Sequence, residues 1–456
     1  MTKAKLKSIS PLDGRYANKT SELTEIFSEY GLIQLRVLIE IRWLQHLSKI
    51  TKIKELKSFN KKTNKRLNDI IENFNISDAH QIKRIEKTTN HDVKAVEYFI
   101  RRLFKKEQNI CDFIHFGCTS EDINNIAYAL MLSRTRKEIL LPKMQLIHRS
   151  LNKIAKKYKS VPMISRTHGQ TASPTTVGKE FANVTSRLAS TTQDFKQVKV
   201  LGKFNGAVGN YNAHFAAYPT CNWPKITTNF IKSLGLQANL LTTQIEPHDW
   251  IAKYCHTLIR YNNILLDLCK DTWTYISLGY FKQRLNKNEV GSSTMPHKIN
   301  PIDFENAEGN LGLANTMLNH FAEKLPISRL QRDLTDSTVQ RNFGVALGYT
   351  LIAMKSLLKG IDKLEINKNL IRQDINESWE VIGEAIQSVM RRYGVPEPYE
   401  KIKKLTRGNR IDKEILHNFI HSLEIPKSAK LDLMHLTPSN YVGLAAELTK
   451  EIKLKQ

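Results

Sequence analysis

An all-α protein built from long helices is the fold class this sequence predicts, on three observations. Apolar residues recur at three- and four-residue intervals over long windows, alternating strand-like runs are few and short, and no internal repeat cuts across the pattern. In residues 22–49 the stripe is formed by Leu23, Ile26, Phe27, Tyr30, Leu35, Val37, Leu38, Ile41, Leu44 and Leu47. The same period returns at 121–157, 175–199, 251–280, 307–321 and 337–359. Several of these windows outrun the usual globular helix, which predicts a bundle of long helices.

Three breaks separate the periodic windows. Residues 110–118 are apolar without period, and residues 359–368 interrupt the helical pattern. Residues 285–301 are polar, punctuated by Gly and Pro, and lie between two helical windows, as a loop over a site would. With 456 residues the chain exceeds the roughly 250–300 at which one hydrophobic core stops growing, so two or three domains are expected.

Composition excludes several classes. Hydrophobic residues at 41% and charged residues at 25% argue against disorder. Five cysteines (Cys111, Cys118, Cys221, Cys255, Cys269) without a CxxC pair argue against a disulfide scaffold or zinc–thiolate site and fit a reducing cytoplasm. The first ten residues carry lysines but no apolar core of a signal peptide. The apolar stretch at 344–354 is too short to span a bilayer, so no membrane partner is expected. The net charge of +25 raises nucleic-acid binding as an alternative. Yet the lysines are spread along the whole chain with an excess of Asn and Ile, and no basic tail or nucleic-acid motif accompanies them. A basic field also suits a multiply anionic small substrate.

The run Gly291-Ser-Ser-Thr-Met-Pro-His-Lys-Ile-Asn-Pro301 packs hydroxyls, an imidazole, an ammonium and an amide into eleven residues. Lys298 would stabilise negative charge near a serine hydroxyl, which is otherwise a poor base. A polar surface loop is the plainer reading, but the run matches the GSSxMPxKxNP signature of the fumarase/aspartase superfamily. The resemblance extends along the chain in the family's order. Ser10-Pro-Leu-Asp-Gly-Arg-Tyr16, Thr88-Thr-Asn-His-Asp-Val-Lys94 and His115-Phe-Gly-Cys-Thr-Ser-Glu-Asp122 come first. Ser165-Arg-Thr-His-Gly-Gln170, Gly206-Ala-Val-Gly-Asn-Tyr-Asn212, Thr243-Gln-Ile-Glu-Pro-His-Asp249 and Gln331-Arg-Asp-Leu-Thr-Asp-Ser-Thr338 follow. Within the superfamily these runs are similar to the longer bacterial form of the adenylosuccinate lyases. One departure is Thr171, where that family often has Pro; it is expected to alter only a turn.

The resemblance implies a reaction and its residues. Cleavage of a succinylated purine ribotide needs a base at carbon, an acid for the leaving nitrogen, and cations for a carbanion spread into a carboxylate. Ser292 fills the base position, with Ser293 beside it as the alternative, and Lys298 and Asn300 would hold the reacting carboxylate. His168 matches the general acid, Glu305 the carboxylate that orients it, and His91 a second site histidine. Arg15, Tyr16, Asn90, Asp92, Thr119, Ser120, Gln244, Arg332, Ser337 and Arg341 match ligand contacts, where arginine suits bidentate phosphate and carboxylate recognition.

The implied fold has three all-α domains, divided at 1–111, 112–364 and 365–456, with the long bundle in the middle. Four bundles would form a homotetramer whose active sites are shared between subunits. No cofactor is implied. Gly206 and Gly209 lack the GxGxxG pattern, and His417 and His421 lack HExxH, so neither a dinucleotide nor a metal site is expected. The rivals are another fumarate-releasing lyase of the superfamily, such as an argininosuccinate lyase or aspartase, and a basic nucleic-acid-binding protein.

Overall fold

A computed structural model describes residues 6–284, 295, 297–408 and 411–451 of the chain. Helices dominate, and strands among the described residues are confined to three two-stranded sheets. The chain forms two compact units, both discontinuous in sequence: Met1–Lys143 with Thr191–Asn263 and Gly309–Lys355, and Met144–Ser190 with Ile264–Glu308 and Ser356–Gln456.

In the first unit the window predicted as one helix is two, α1 (Ala17–Phe27) and α2 (Glu29–Leu47). Ser28 breaks it: its backbone is extended (ψ 163°) and its hydroxyl accepts the Gly31 N–H, capping α2. The crossing is tight, since a Cβ on Gly31 would stand 2.6 Å from the Glu25 carbonyl oxygen. Helix α2 is buried on nearly every side, as a helix at the centre of a core must be. Its Trp43 is fully buried, with ring centroids 4.6 Å from Phe204 and 5.1 Å from Phe230, and its indole N–H donates to the Phe116 carbonyl at 2.9 Å. Burying each such side chain contributes about 1.5–3 kcal/mol.

Helices α3 (Ile76–Thr89) and α4 (Asp92–Leu103) follow, then α5 (Ser120–Arg134), which packs on α2. Residues 121–157 are helical throughout, as expected, but a π-helical turn at Thr135–Leu140 separates α5 from α6 (Leu141–Lys157). Beyond it run α7 (Val177–Gln197), α8 (Asp249–Ser277), α9 (Ile302–Lys324), α10 (Thr335–Gln340) and α11 (Phe343–Asp362). The apolar run seen at 344–354 belongs to a longer one: residues 335–362 are long and apolar enough in composition to cross a bilayer, yet 67% of the qualifying window is buried within the protein. That burial is what a core helix requires, with Ala346, Ile352, Met354 and Leu357 all fully enclosed.

In the second unit a β-hairpin, β1 (Pro162–Thr167) and β2 (Gln170–Thr176), was not among the predicted elements. Thr171, expected in a turn, lies in β2 opposite Arg166. Ile164 of β1 enters the apolar cluster of the C-terminal helices, with Ile382, Ile386, Met390, Leu416 and Ile420. The guanidinium of Arg166 sits 3.0 Å from the Asp374 carboxylate, which also accepts from the Tyr280 hydroxyl. Core packing and an ion pair therefore hold the hairpin against the C-terminal helices.

Candidate active site

The two units carry different parts of the expected site, and in the first unit most of them meet. Helix α3 ends at Asn90 in the left-handed region (φ 50°). His91 then caps α4, its Nδ1 accepting the Lys94 N–H at 3.3 Å. That bond puts the proton of the neutral ring on Nε2, which faces the Ser120 hydroxyl at 3.5 Å. Asp92 Oδ2 lies 2.6 Å from Arg36 and 3.1 Å from Arg341, whose other nitrogen is 3.2 Å from Glu29. Burial alone would raise the Asp92 carboxyl, but Arg36, the Val93 N–H and Arg341 together hold it below the ordinary value. His91 thus meets Ser120, Asp92 joins Arg36 to Arg341, Asn90 stands next to His91 in the chain, and Thr119 is at the entry to α5.

A second cluster gathers around Arg332. Its Nη2 is 3.1 Å from Glu121 Oε2 and 3.3 Å from Asp336 Oδ1, while Nη1 donates to Gln244 Oε1 at 3.4 Å. Ser337 joins through its N–H, which donates to Asp336 at 2.6 Å. Glu121 is so enclosed that burial, outweighing the Arg332 guanidinium, pushes its carboxyl up to about 8. The 3.1 Å contact reads as an ion pair, but the desolvation of a fully buried carboxylate is the larger effect here. Glu121 is therefore mainly protonated at neutral pH, and Asp336 is the counter-charge to the guanidinium. Glu121, His248 and Asp336 offer ligand atoms within 4.8 Å of one another. Arg332 already supplies the positive charge there, and the Gln340 amide faces His248 Nε2 at 3.0 Å, so the cluster reads as an arginine cradle rather than a metal site. Arg15 and Tyr16, at the start of the chain, pair with each other, the guanidinium 5.9 Å from the ring.

The second unit holds the expected His168, Glu305, Lys298 and Asn300, and among the described residues no hydrogen bond or ion pair joins them. His168 and Gly169 form the two-residue turn of the hairpin, with φ of 54° and 76°. Positive φ at both positions is what a type I′ turn demands, and it is uncommon for a side chain larger than glycine's. The imidazole is exposed at the tip and makes no hydrogen bond among the described residues. Glu305, near the start of α9, is exposed and accepts from the Trp273 indole at 3.2 Å; no hydrogen bond joins it to His168 among the described residues. Lys298 is exposed and Asn300 half-buried. Ser292 and Ser293 lie outside the described residues.

Arg36, Glu121, Asp122, Lys203, His248 and Asp336 form the buried scaffold of this region, and sequence reasoning assigned them no role. Four lie inside quoted runs, and the Thr119-x-x-Asp122 spacing is a capping-box signal that marks Asp122 as turned toward its own helix end.

Comparison with known proteins bears on this arrangement. The family profile described as "Lyase" matches residues 14–315, and "Adenylosuccinate lyase C-terminal" matches residues 328–442. An adenylosuccinate lyase of Haemophilus influenzae is 53% identical over 98% of this chain and 99% of its own. That of Escherichia coli is 51% identical over 99% of this chain and 100% of its own. Among solved structures, a 3-carboxy-cis,cis-muconate lactonizing enzyme from Pseudomonas putida aligns with TM-score 0.74 at 17% identity, covering 94% of this chain and 95% of its own. A fumarate lyase from Mesorhizobium sp. BNC1 aligns with TM-score 0.74 at 16% identity, covering 94% and 96%. These two share the all-helical fold with this chain. With half of all positions identical from end to end, and both family profiles met in order, the chain belongs to the adenylosuccinate lyase family of the fumarase/aspartase superfamily.

Proposed function

We propose that this lyase cleaves adenylosuccinate to AMP and fumarate, and the succinyl-carboxamide ribotide SAICAR to AICAR and fumarate, by β-elimination. The observation that carries the reading is the full-length identity to adenylosuccinate lyases, with every acid–base residue type of the signature runs present in the sequence. Ser292, or Ser293 beside it, takes the proton from the carbon next to the reacting carboxylate. The electron pair is held by that carboxylate, with Lys298 and Asn300 as its counter-groups, and then forms the fumarate double bond as the C–N bond breaks. His168 gives its proton to the departing nitrogen, and Glu305 orients the ring. His91, Arg15, Tyr16, Asn90, Thr119, Ser120, Gln244, Arg332, Ser337 and Arg341 bind the ribotide. Asp92, held by two arginines, acts through Arg341 rather than on an anionic ligand itself.

The same reading includes a cytoplasmic homotetramer with shared sites and a division into three domains at 111/112 and 364/365. An acid on an exposed hairpin tip supports sharing, because efficient proton transfer needs a site from which water is excluded. Cysteines that are all free support the compartment. The ends of a short helix at Cys111 and of α11 at Asp362 support the domain limits.

Fumarate release from adenylosuccinate, argininosuccinate, aspartate and malate, followed by absorbance, tests the function. Turnover of adenylosuccinate far above the others is expected, and preference for any of the other three overturns the substrate assignment. Mixing inactive Ser292→Ala and His168→Ala enzymes should restore part of the activity, and no recovery after subunit exchange counts against shared sites.

A further inference from the structure

The most enclosed ion pair of the first unit lies beneath the expected ligand contacts. Lys203 Nζ and Asp122 Oδ1 are 3.0 Å apart, and neither side chain has any exposure. Isolated burial of this kind is a poor way to stabilise a fold, since apolar replacements of similar volume often do as well or better. What distinguishes this pair is where its remaining bonds go. Lys203 Nζ also donates to the carbonyls of Gly206 at 2.9 Å and Gln244 at 2.8 Å. Asp122 accepts the N–H groups of Thr119 at 2.8 Å, Asn205 at 3.0 Å and Gly206 at 3.1 Å. Asn125, one turn along α5, exchanges two bonds with the Lys203 backbone, at 2.8 and 3.0 Å. Three segments distant in sequence are thereby tied to one pair of charges: the start of α5, the 203–206 turn, and residue 244.

Two of the three carry expected ligand contacts, and the 203–206 turn joins them. Thr119 and Ser120 open α5, and the Gln244 side chain donates to the Ala207 carbonyl at 3.0 Å while accepting from Arg332. Gly206, at φ 85°, allows the turn to fold back over Asp122 with both its N–H and its carbonyl bound. We propose that Lys203 and Asp122 are a positioning pair for substrate binding, fixing Thr119, Ser120, Gln244 and, through Gln244, Arg332 in one frame before the ligand arrives. This deepens the function proposed above and rests on it for the identity of the ligand. Neither residue needs to touch the ribotide. Their effect is on how well the contacts are aligned, which appears in KM before kcat.

The test is a cycle of variants read by kinetics and by fold. A single Lys203→Met change strands a buried carboxylate, so the paired Lys203→Met/Asp122→Asn enzyme is the informative one. It is expected to fold, to raise KM for adenylosuccinate about tenfold, and to change kcat less than about threefold. In a Gln244→Ala background the same pair should add less than about twofold to KM, because the group it positions is gone. Unchanged KM in a folded paired variant, or full additivity with Gln244→Ala, overturns the proposal. Hydrogen exchange of the wild-type enzyme tests it without any variant: the Thr119, Asn205 and Gly206 amides should be protected like α5 with or without AMP. Fast exchange that slows only when AMP binds overturns the idea of a frame built in advance. If wild-type enzyme releases no fumarate from adenylosuccinate, the proposed function fails, while the exchange result still decides whether the frame exists.

Discussion

The proposed ligand contacts of the first unit and the proposed acid–base residues of the second are held in opposite ways. Around Arg36, Asp92, Arg332 and Glu121, buried and half-buried side chains are bonded to one another, so the side chains proposed to recognise an anion are locked in position within a single chain. His168, Glu305 and Lys298 are exposed, and His168 stands on a hairpin turn without a hydrogen-bond partner among the described residues. Binding groups gain from rigidity, whereas groups that move protons must meet a substrate and lose water as they do so. A fold that separates the two tasks lets one part be stiff without freezing the other.

Replacing the proposed acid sharpens that contrast most. His168→Ala removes a side chain that nothing described depends on, so kcat should fall about 10³-fold while the melting temperature stays within about two degrees. Steady-state kinetics beside a thermal scan measure both. A large loss of stability would mean that the hairpin tip is structural after all.

Arg36→Met should do the reverse. It strips a guanidinium that is 1% exposed from Asp92 and from Asn124 Oδ1, 2.9 Å away. The uncompensated groups cost about 3 kcal/mol, somewhat eased because Arg341 still reaches Asp92. Urea unfolding should show the loss, and KM should rise because Arg341, a proposed ligand contact, leans on the same carboxylate. Unaltered stability with altered kcat would erase the distinction between the two regions.

The same division explains what the sequence made legible. Long apolar periods reported the helices because core burial acts on every turn, and the runs quoted by resemblance are the source of the residues proposed for both tasks. The break at Ser28 was invisible because a serine within a continuing stripe differs little from a polar face residue until its cap is seen. The hairpin was missed because a two-stranded sheet has few residues to pattern, and its turn is set by backbone angles at His168 and Gly169 rather than by an Asn-Gly or Asp-Gly signal. Glu121 sits in a polar run and Lys203 is a lone charge among Leu201, Gly202 and Phe204; only tertiary contact shows that both are enclosed with partners.

Glu121 gives the stiff region a pH signature. Its carboxyl titrates near 4.5 in an ordinary setting and is pushed up to about 8 in the fold, chiefly by burial. The native state therefore keeps a proton that the unfolded chain has released. This contribution to stability is complete below about pH 4.5 and is lost as the pH climbs toward 8, at up to about 1.4 kcal/mol per pH unit. Glu121→Gln, fixed in the neutral form, should flatten the fall. Urea midpoints of the two proteins from pH 5 to 8 compare the slopes, and parallel curves would mean that the carboxyl is ionised in place.

The smallest effect is expected at Thr171→Pro. Thr167 and Gln170 flank a two-residue turn and close the hairpin as a hydrogen-bonded pair, so the next pair, Arg166 and Thr171, is a non-hydrogen-bonded one. The Thr171 N–H therefore points away from β1, and proline there removes no ladder bond. Gln170 before it is already extended, as a residue preceding proline prefers. Stability should change by less than about 1 kcal/mol and kcat by less than about twofold, since the turn that carries His168 keeps its geometry. A loss of activity on the scale of His168→Ala would show that this strand, and not the turn alone, sets the orientation of His168.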